Sequence, residues 1–260
     1  MHKLFLLLTL LLFPITALGG TQETIDHINQ KNAGIRSLTA DVYSTVQKRR
    51  VSISLSGKME FEKPRNFRLV NQDTRRRQFA SDLGSNNTYF WFYGKRLHPS
   101  QLYWAKYSQL GKTRIKDSLN PVWLVDSLNL NHIDTTGAKV YEQNGKIVVS
   151  KVVQSPRRSQ VVKVITIDPQ RPAIVGHALY TSNRALIASS RVTAFYKLKS
   201  GAYIPSSIRI SWPPEQVSIS WQFRNPRVNV AIDPKRWVMP ALRVQRVDLG
   251  TGVRIQGVND

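Results

Sequence analysis

One stretch limits the possible folds of this chain more than any other. Between residues 51 and 61, Val51, Ile53, Leu55, Gly57, Met59 and Phe61 alternate with Ser52, Ser54, Ser56, Lys58 and Glu60. A side-chain period of two belongs to an extended strand with one face buried and the other wet. A helix would scatter the same residues around its circumference. The rest of the chain must therefore supply neighbours for this strand and a cover for its apolar face.

Candidate neighbours lie on both sides. Leu38, Ala40, Val42 and Val46 suggest a preceding strand, and Phe67 and Leu69 resume the alternation after Pro64. Thr88 to Tyr93 is a short, densely aromatic strand. Asn144-Gly145, between Val140-Tyr141 and Ile147-Val148-Val149, is a hairpin signal, because both turn positions tolerate positive φ. Further segments over 160–167, 174–180, 186–197, 203–210 and 217–223 are separated by polar or proline-containing turns. The expected class is mostly β (α+β). The expected architecture is a single strongly curved antiparallel sheet, or incomplete β-barrel.

Two helices interrupt this pattern. Ile25, Ile28, Asn32 and Ile35 fall near helical spacing, with Glu23 and Asp26 early, Lys31 and Arg36 late, and Gly34 near the end. Asn120-Pro121 pairs a capping residue with Pro at the first helical position, and Val122, Trp123, Val125 and Leu128 form a short apolar face. The expectation is an N-terminal helix and a mid-chain lid helix over the concave face. From residue 231 the alternation weakens. Residues 21–230 read as one half-barrel domain, with 231–260 as a C-terminal extension packed on it or trailing it.

The N-terminus reads as an address rather than as structure. Met1-His2-Lys3 precedes an apolar run from Leu4 to Phe13, and Ala17-Leu18-Gly19 supplies small residues near a cleavage point. The run is shorter than the ~20 residues that span a bilayer. Residues 1–20 are expected to be a cleaved secretory signal, with an uncleaved anchor as the other reading. The expected location is the periplasm, soluble after cleavage. The chain has no Cys. Disulfides, thiolate chemistry, Cys-based metal sites and lipid attachment to a cysteine are thereby excluded.

The charge is unbalanced, with 38 Lys+Arg against 16 Asp+Glu and a formal net charge of +22. The cations come in short runs: Lys48-Arg49-Arg50, Arg75-Arg76-Arg77, Lys95-Arg96 and Arg157-Arg158. Such a field draws anions. For an exported protein these are phospholipid headgroups, lipopolysaccharide or acidic polymers, and no nucleic acid is expected. The other reading is a solvated surface that serves solubility alone.

Catalytic signals are sparse. His27, His98, His132 and His177 are far apart and form no pair at ligand spacing. There is no Gly-rich phosphate loop and no nucleophile elbow. No catalytic residue, metal or cofactor is expected. Asn86-Asn87-Thr88 matches a glycosylation acceptor, a signal that matters only in a eukaryotic secretory pathway. Tyr89-Phe90-Trp91-Phe92-Tyr93 puts aromatic residues on both faces of one strand. Either both faces are buried, or one lines an apolar cavity.

These residues resemble a known family. Gly57-Lys58-Met59-Glu60-Phe61-Glu62-Lys63-Pro64-Arg65-Asn66-Phe67-Arg68 is similar to a strand–turn–strand of the LolA/LolB-like periplasmic lipoprotein carriers. Ser81-Asp82 followed by Phe90-Trp91-Phe92-Tyr93 resembles that family's Ser-Asp-Gly turn and aromatic strand. Pro121 to Leu128 falls where the family places its lid helix, and Gly201-Ala202-Tyr203-Ile204-Pro205 resembles a late strand. The resemblance spans about residues 21 to 230. It implies an incomplete barrel whose interior binds the acyl chains of a lipoprotein or another amphipathic lipid. It also implies that Lys63 ties the lid to the barrel, that Phe67 lies near the mouth, and that Met59, Phe61 and Leu69 face the same cavity. With the aromatic strand, the candidate lipid-binding residues are Met59, Phe61, Lys63, Phe67, Leu69, Phe90 and Phe92.

The pattern also departs from the family. Lys63 stands where Arg is usual, and Lys lacks the rigid fork of Arg. The Ser-Asp-Gly turn is lengthened to Ser81 through Thr88. Residues 94–120 form a long insertion that could offer an exposed surface to a partner. Three functions follow as expectations. The first is a non-enzymatic, monomeric carrier for lipoprotein sorting to the outer membrane, with membrane-associated donor and acceptor proteins. The second is a lipid or lipopolysaccharide sensor on the same fold that regulates a partner protein. The third, least favoured, is an exported hydrolase of an anionic polymer.

Overall fold

The computed structural model describes residues 17–95, 100–112, 121–155 and 159–255. The apolar leader through residue 16, Arg96, His98, Asn120 and Arg157-Arg158 lie outside the described residues.

The strands form two antiparallel meanders. The first holds β1 (Ser37–Lys48), β2 (Val51–Glu62), β3 (Asn66–Asp73), β4 (Phe79–Ser85), β5 (Tyr89–Gly94) and β6 (Leu102–Lys106). The second holds β7 (Lys139–Gln143), β8 (Lys146–Gln154), β9 (Gln160–Asp168), β10 (Ala173–Thr181), β11 (Leu186–Lys197), β12 (Tyr203–Trp212) and β13 (Val217–Val228). The β1–β13 ladder joins them, running from Leu38 opposite Val228 to Lys48 opposite Val217. Near the C-terminus β14 (Arg246–Asp248) adds to β6 in parallel, and β15 (Arg254–Ile255) lies beyond it. The result is one 15-stranded sheet with β7 and β15 at its edges, so the sheet is not closed.

The sheet must curl. The path from β3 to β9 through the shared ladders takes seven strand-to-strand steps, roughly 34 Å if flat. Yet Phe67 and Leu69 of β3 and Val161 of β9 belong to one buried cluster. Only a strongly curved sheet brings both strands to the same core.

Two helices cover the inner face. α1 (Ala17–Ala33) buries Ile25 and Ile28 against Ile147, Val149, Ile165, Ile167 and Ile174 of β8–β10. α2 (Pro121–Asp126) buries Trp123 and Val125 in the larger cluster. Among the described residues, no helix is long and apolar enough to cross a membrane.

Several local expectations need correction. α1 begins at Ala17, so Glu23 and Asp26 sit in its middle rather than its first turn, and Ile35 lies beyond its end. Part of the lengthened turn over 81–88 is strand β4, and the turn itself lies between Ser85 and Tyr89. Its small and polar residues, Ser81, Asp82, Gly84 and Ser85, hid the alternation. Within the 94–120 insertion, Leu102–Lys106 is a sheet strand with Leu102 and Ala105 fully buried. Between them, Tyr103 and Trp104 are half-buried.

The outer face of the first meander is not wet throughout. Glu60, expected to face water, is 5% exposed. The segment after β13 crosses this face and supplies its partners. Arg236 pairs with Glu60 at 2.5 Å, and Trp237 Nε1 donates to Glu62 at 3.1 Å. Met239, Leu242 and Val244 pack on Trp91, Tyr93 and Leu102.

At the centre of this layer, Asp82 joins Arg68 and Trp91. It accepts from Arg68 at 2.7 Å and from Trp91 Nε1 at 2.8 Å, and Arg68 also donates to the Arg236 carbonyl at 3.0 Å. Gly84 is required beside it, because a Cβ there would meet the Trp91 ring at 2.1 Å. Asp82→Ala leaves the Arg68 charge and the Trp91 N–H without their partner. It is expected to destabilise the protein by about 3–5 kcal/mol, read from urea-induced unfolding. A loss under about 1 kcal/mol would show that this network adds little to stability.

Candidate functional site

Parity on the ladders decides which side chains meet on the inner face. Phe61 lies opposite Phe67, Met59 opposite Leu69, Leu38 opposite Phe61 and Ala40 opposite Met59. Side chains directly opposite across a ladder point to the same face. Met59, Phe61, Phe67 and Leu69 therefore form one patch, and all four are buried in the cluster that holds Trp123, Val125 and Leu128.

The second meander closes this cluster from the other side. It contributes Ile204, Ile208, Ile210 and Trp212 of β12 and Trp221 and Phe223 of β13. The Trp123 ring meets Trp212 edge-on, with centroids 6.0 Å apart. None of these six was among the candidate lipid-binding residues, although the alternation Ile208, Ile210, Trp212 carried the signal.

The other candidates lie elsewhere. Lys63 stands at the end of the patch, immediately before the cis Lys63–Pro64 peptide bond, and its Nζ donates to the Asn32 carbonyl of α1 at 2.6 Å. Burial lowers its pKa below the ordinary lysine value. Phe90 belongs to a separate small cluster with Ala105 and Leu110. Phe92 is 38% exposed and pairs with Leu83, which packs against the main cluster. The structure thus brings four of the seven together and sets Lys63, Phe90 and Phe92 around them.

Polar contacts hold α2 and the chain that follows it. Lys163 of β9 pairs with Asp126 at 2.6 Å, and Asn131 donates to the other Asp126 oxygen at 3.0 Å. Asn32 of α1 donates to the Asn129 carbonyl at 3.1 Å. Asn129 Nδ2 donates to the Ile174 carbonyl at 3.0 Å, which turns its Oδ1 toward His177 Nε2 at 2.6 Å. That orientation makes His177 Nε2 the donor, so the neutral ring leaves Nδ1 as an acceptor.

Some inner polar atoms lack partners. Ser44 Oγ, Trp123 Nε1, His177 Nδ1 and Ser190 Oγ are buried without a hydrogen bond. Among the described residues, no group of three or more His, Asp or Glu could hold a metal ion.

No family model and no curated protein matches the chain in sequence. Solved structures do match it in shape. A DUF1329 family protein from Desulfovibrio piger superposes with a TM-score of 0.55 at 12% identity, covering 85% of this chain and 96% of that one. A domain assigned to outer-membrane lipoprotein sorting, from Vibrio parahaemolyticus, gives 0.55 at 10% identity, covering 83% and 94%. A LolA superfamily protein from Nitrosomonas europaea gives 0.53 at 11% identity, covering 83% and 97%. At these identities the likeness establishes the fold, and the chain has a LolA-like fold.

The His177 environment has a consequence for stability. Burial pushes its pKa down to about 4, opposed by the Asp126 charge and reinforced by Lys163. The unfolded chain therefore binds a proton below about pH 6.5 that the folded chain refuses until about pH 4. Stability should fall as the pH drops through that window, by up to about 3 kcal/mol. His177→Gln should flatten that slope when urea midpoints are compared between pH 7 and 5. An unchanged slope would mean that another group titrates there.

Proposed function

We propose that this chain is an exported carrier that holds the acyl chains of a lipoprotein, or another amphipathic lipid, beneath α2. One observation carries the reading. The apolar patch Met59, Phe61, Phe67 and Leu69 lies on the inner face of a curved, open sheet, under a helix of only six residues. Such a helix can be displaced without breaking a single ladder of the sheet. The cluster that it covers consists of branched aliphatic and aromatic side chains, which suit hydrocarbon.

Other features support the same reading. The LolA-like fold is shared with a domain assigned to lipoprotein sorting. The unpartnered Trp123 Nε1, Ser44 Oγ and Ser190 Oγ are groups that the ester or amide oxygens of an acylated ligand could engage. The leader over residues 1–20 supports export to the periplasm, where such cargo travels between membrane-associated donor and acceptor proteins. The same arrangement requires no catalytic group.

The test is native mass spectrometry of protein purified without detergent, followed by titration with a fluorescent fatty acid. The expected result is one bound acyl lipid, displaced by the probe. Phe67→Glu places a carboxylate among apolar side chains, at a cost of several kcal/mol if unpaired. It should weaken probe binding roughly tenfold or more, while Phe67→Leu retains both fold and binding. A ligand-free wild type that takes up no probe would overturn the reading. So would a cooperatively folded Phe67→Glu chain with full affinity.

A further inference from the structure

Topology gathers the basic runs at one end of the sheet. Strands of a meander turn alternately at its two ends, so the β1–β2, β3–β4, β5–β6, β10–β11 and β12–β13 connections share one end. Lys48-Arg49-Arg50 occupies the first of these turns and Arg75-Arg76-Arg77 the second, and all six are exposed. The two turns are neighbours, because Leu55 of β2 lies opposite Asp73 of β3, and Thr74 Oγ1 donates to the Ser54 carbonyl at 3.0 Å. The first turn also touches the β12–β13 turn, where Arg49 N–H donates to the Gln216 carbonyl at 3.2 Å. Lys95 and Arg184, both exposed, extend the row on either side.

These cations are left unneutralised. Among the described residues, none of their side chains forms an ion pair or lies over an aromatic ring. The described acidic residues of these turns are Asp73 and Glu215. Asp73 is buried, and its carboxylate accepts the Arg75 and Arg76 backbone N–H groups.

The opposite end is different. There Lys63 donates to Asn32, Arg65 lies over Tyr107, Arg171 over Phe195 and Lys197 over Tyr203, and Lys146 pairs with Asp168. The protein thus engages several cations at that end, where Arg36, Lys199 and Arg227 stand exposed singly, and leaves whole runs of them bare at the other. Like charges on adjacent turns repel, so this arrangement opposes folding unless an external anion meets it.

We propose that this row of turns docks the protein, sheet end first, on an anionic lipid bilayer. Cations spread over several neighbouring turns suit an extended surface rather than a ligand held in a cleft, and the β1–β2 tip projects furthest, since β3 ends at Asp73 opposite Leu55. Val51, at the tip beside Arg50, is 61% exposed. An apolar side chain among cations suits a headgroup layer, where it can insert, and offers nothing to a soluble polyanion. Ile53 and Leu55, half-buried on the inner face behind it, carry the apolar surface inward from the same end. The surface is independent of whether a lipid occupies the space beneath α2.

The test is vesicle co-sedimentation of the full-length mature protein with phosphatidylglycerol–phosphatidylcholine or pure phosphatidylcholine vesicles, alongside binding to heparin as a soluble polyanion. A cation near an anionic surface strengthens binding roughly fivefold. R49E/R75E/R76E should therefore lose about 100-fold or more in affinity for the anionic vesicles. R36E/K199E/R227E changes the net charge equally at the opposite end and should stay within about threefold of wild type. Val51→Ser should weaken vesicle binding and leave heparin binding unchanged. Equal losses in both triple variants would show that net charge alone attracts the bilayer and would overturn the proposal. So would wild-type binding to heparin without binding to the anionic vesicles.

Discussion

The structure depends on the ladder between β1 and β13. The two meanders are far apart in sequence, and each alone would expose an apolar face and an unpaired edge. The first strand of one bonds to the last strand of the other over ten paired positions. A 15-strand sheet then exists instead of two smaller ones. β1 is consequently bonded on both sides, with β2 as its other neighbour. Its inward residues Leu38, Ala40 and Val42 sit at the centre of the main core. Curvature follows from this union, because the inner faces of both halves can be buried only by bending toward each other.

The two faces of the first meander are stabilised by different means. Inside, burial is apolar and non-directional. Outside, the segment after β13 lies on charged and aromatic residues, and its position is set by directed bonds: Arg236 to Glu60, Trp237 to Glu62, Arg68 to the Arg236 carbonyl and Asn86 to the Trp237 carbonyl. Partnered in this way, buried charges avoid the large cost of isolation. Directed bonds also fix the register of a segment with little secondary structure of its own. The aromatic strand β5 needs both solutions at once. Trp91 and Tyr93 are buried under the outer segment, and Phe90 is buried toward Ala105 and Leu110.

Much of this was legible in the sequence, for a definite reason. Strands whose inward residues are large and apolar declare themselves by period two. β1, β2, β3, and β8 through β13 all fall close to where alternation put them. The same alternation gathered Met59, Phe61, Phe67 and Leu69 on one face. Strand β4 stayed hidden because its partners, Arg68 and Trp91, supply the bulk that its own Gly84 omits. Strands β6 and β14 are short and are defined by their neighbours, β6 by β5 and β14 by β6 and β15. The polar residues around α2 were illegible on different grounds. Asp126, Asn129, Lys163 and His177 look like ordinary surface residues until the fold brings three separate segments together. Position in sequence carries no trace of such a meeting.

The cover of the inner face is also its least self-sufficient part. A helix of six residues has too few internal hydrogen bonds to offset the entropy of nucleation, so α2 cannot persist by propensity alone. Its order comes from what it touches: Trp123 and Val125 in the core, and Asp126 against Lys163. That ion pair is mostly buried, with side-chain exposures of 29% and 17%, but it is a single contact beside several apolar ones. The apolar contacts therefore dominate, and hydrocarbon of similar volume could replace them at little net cost, since burial is non-directional. The sheet beneath needs no such replacement, because its ladders are complete without α2. An extended hydrogen-bonded sheet and a short cover held mainly by apolar contacts are the two parts that the proposed burial of a guest requires. Met59, Phe61, Phe67 and Leu69 share their cluster with Trp123 and Val125 of that cover.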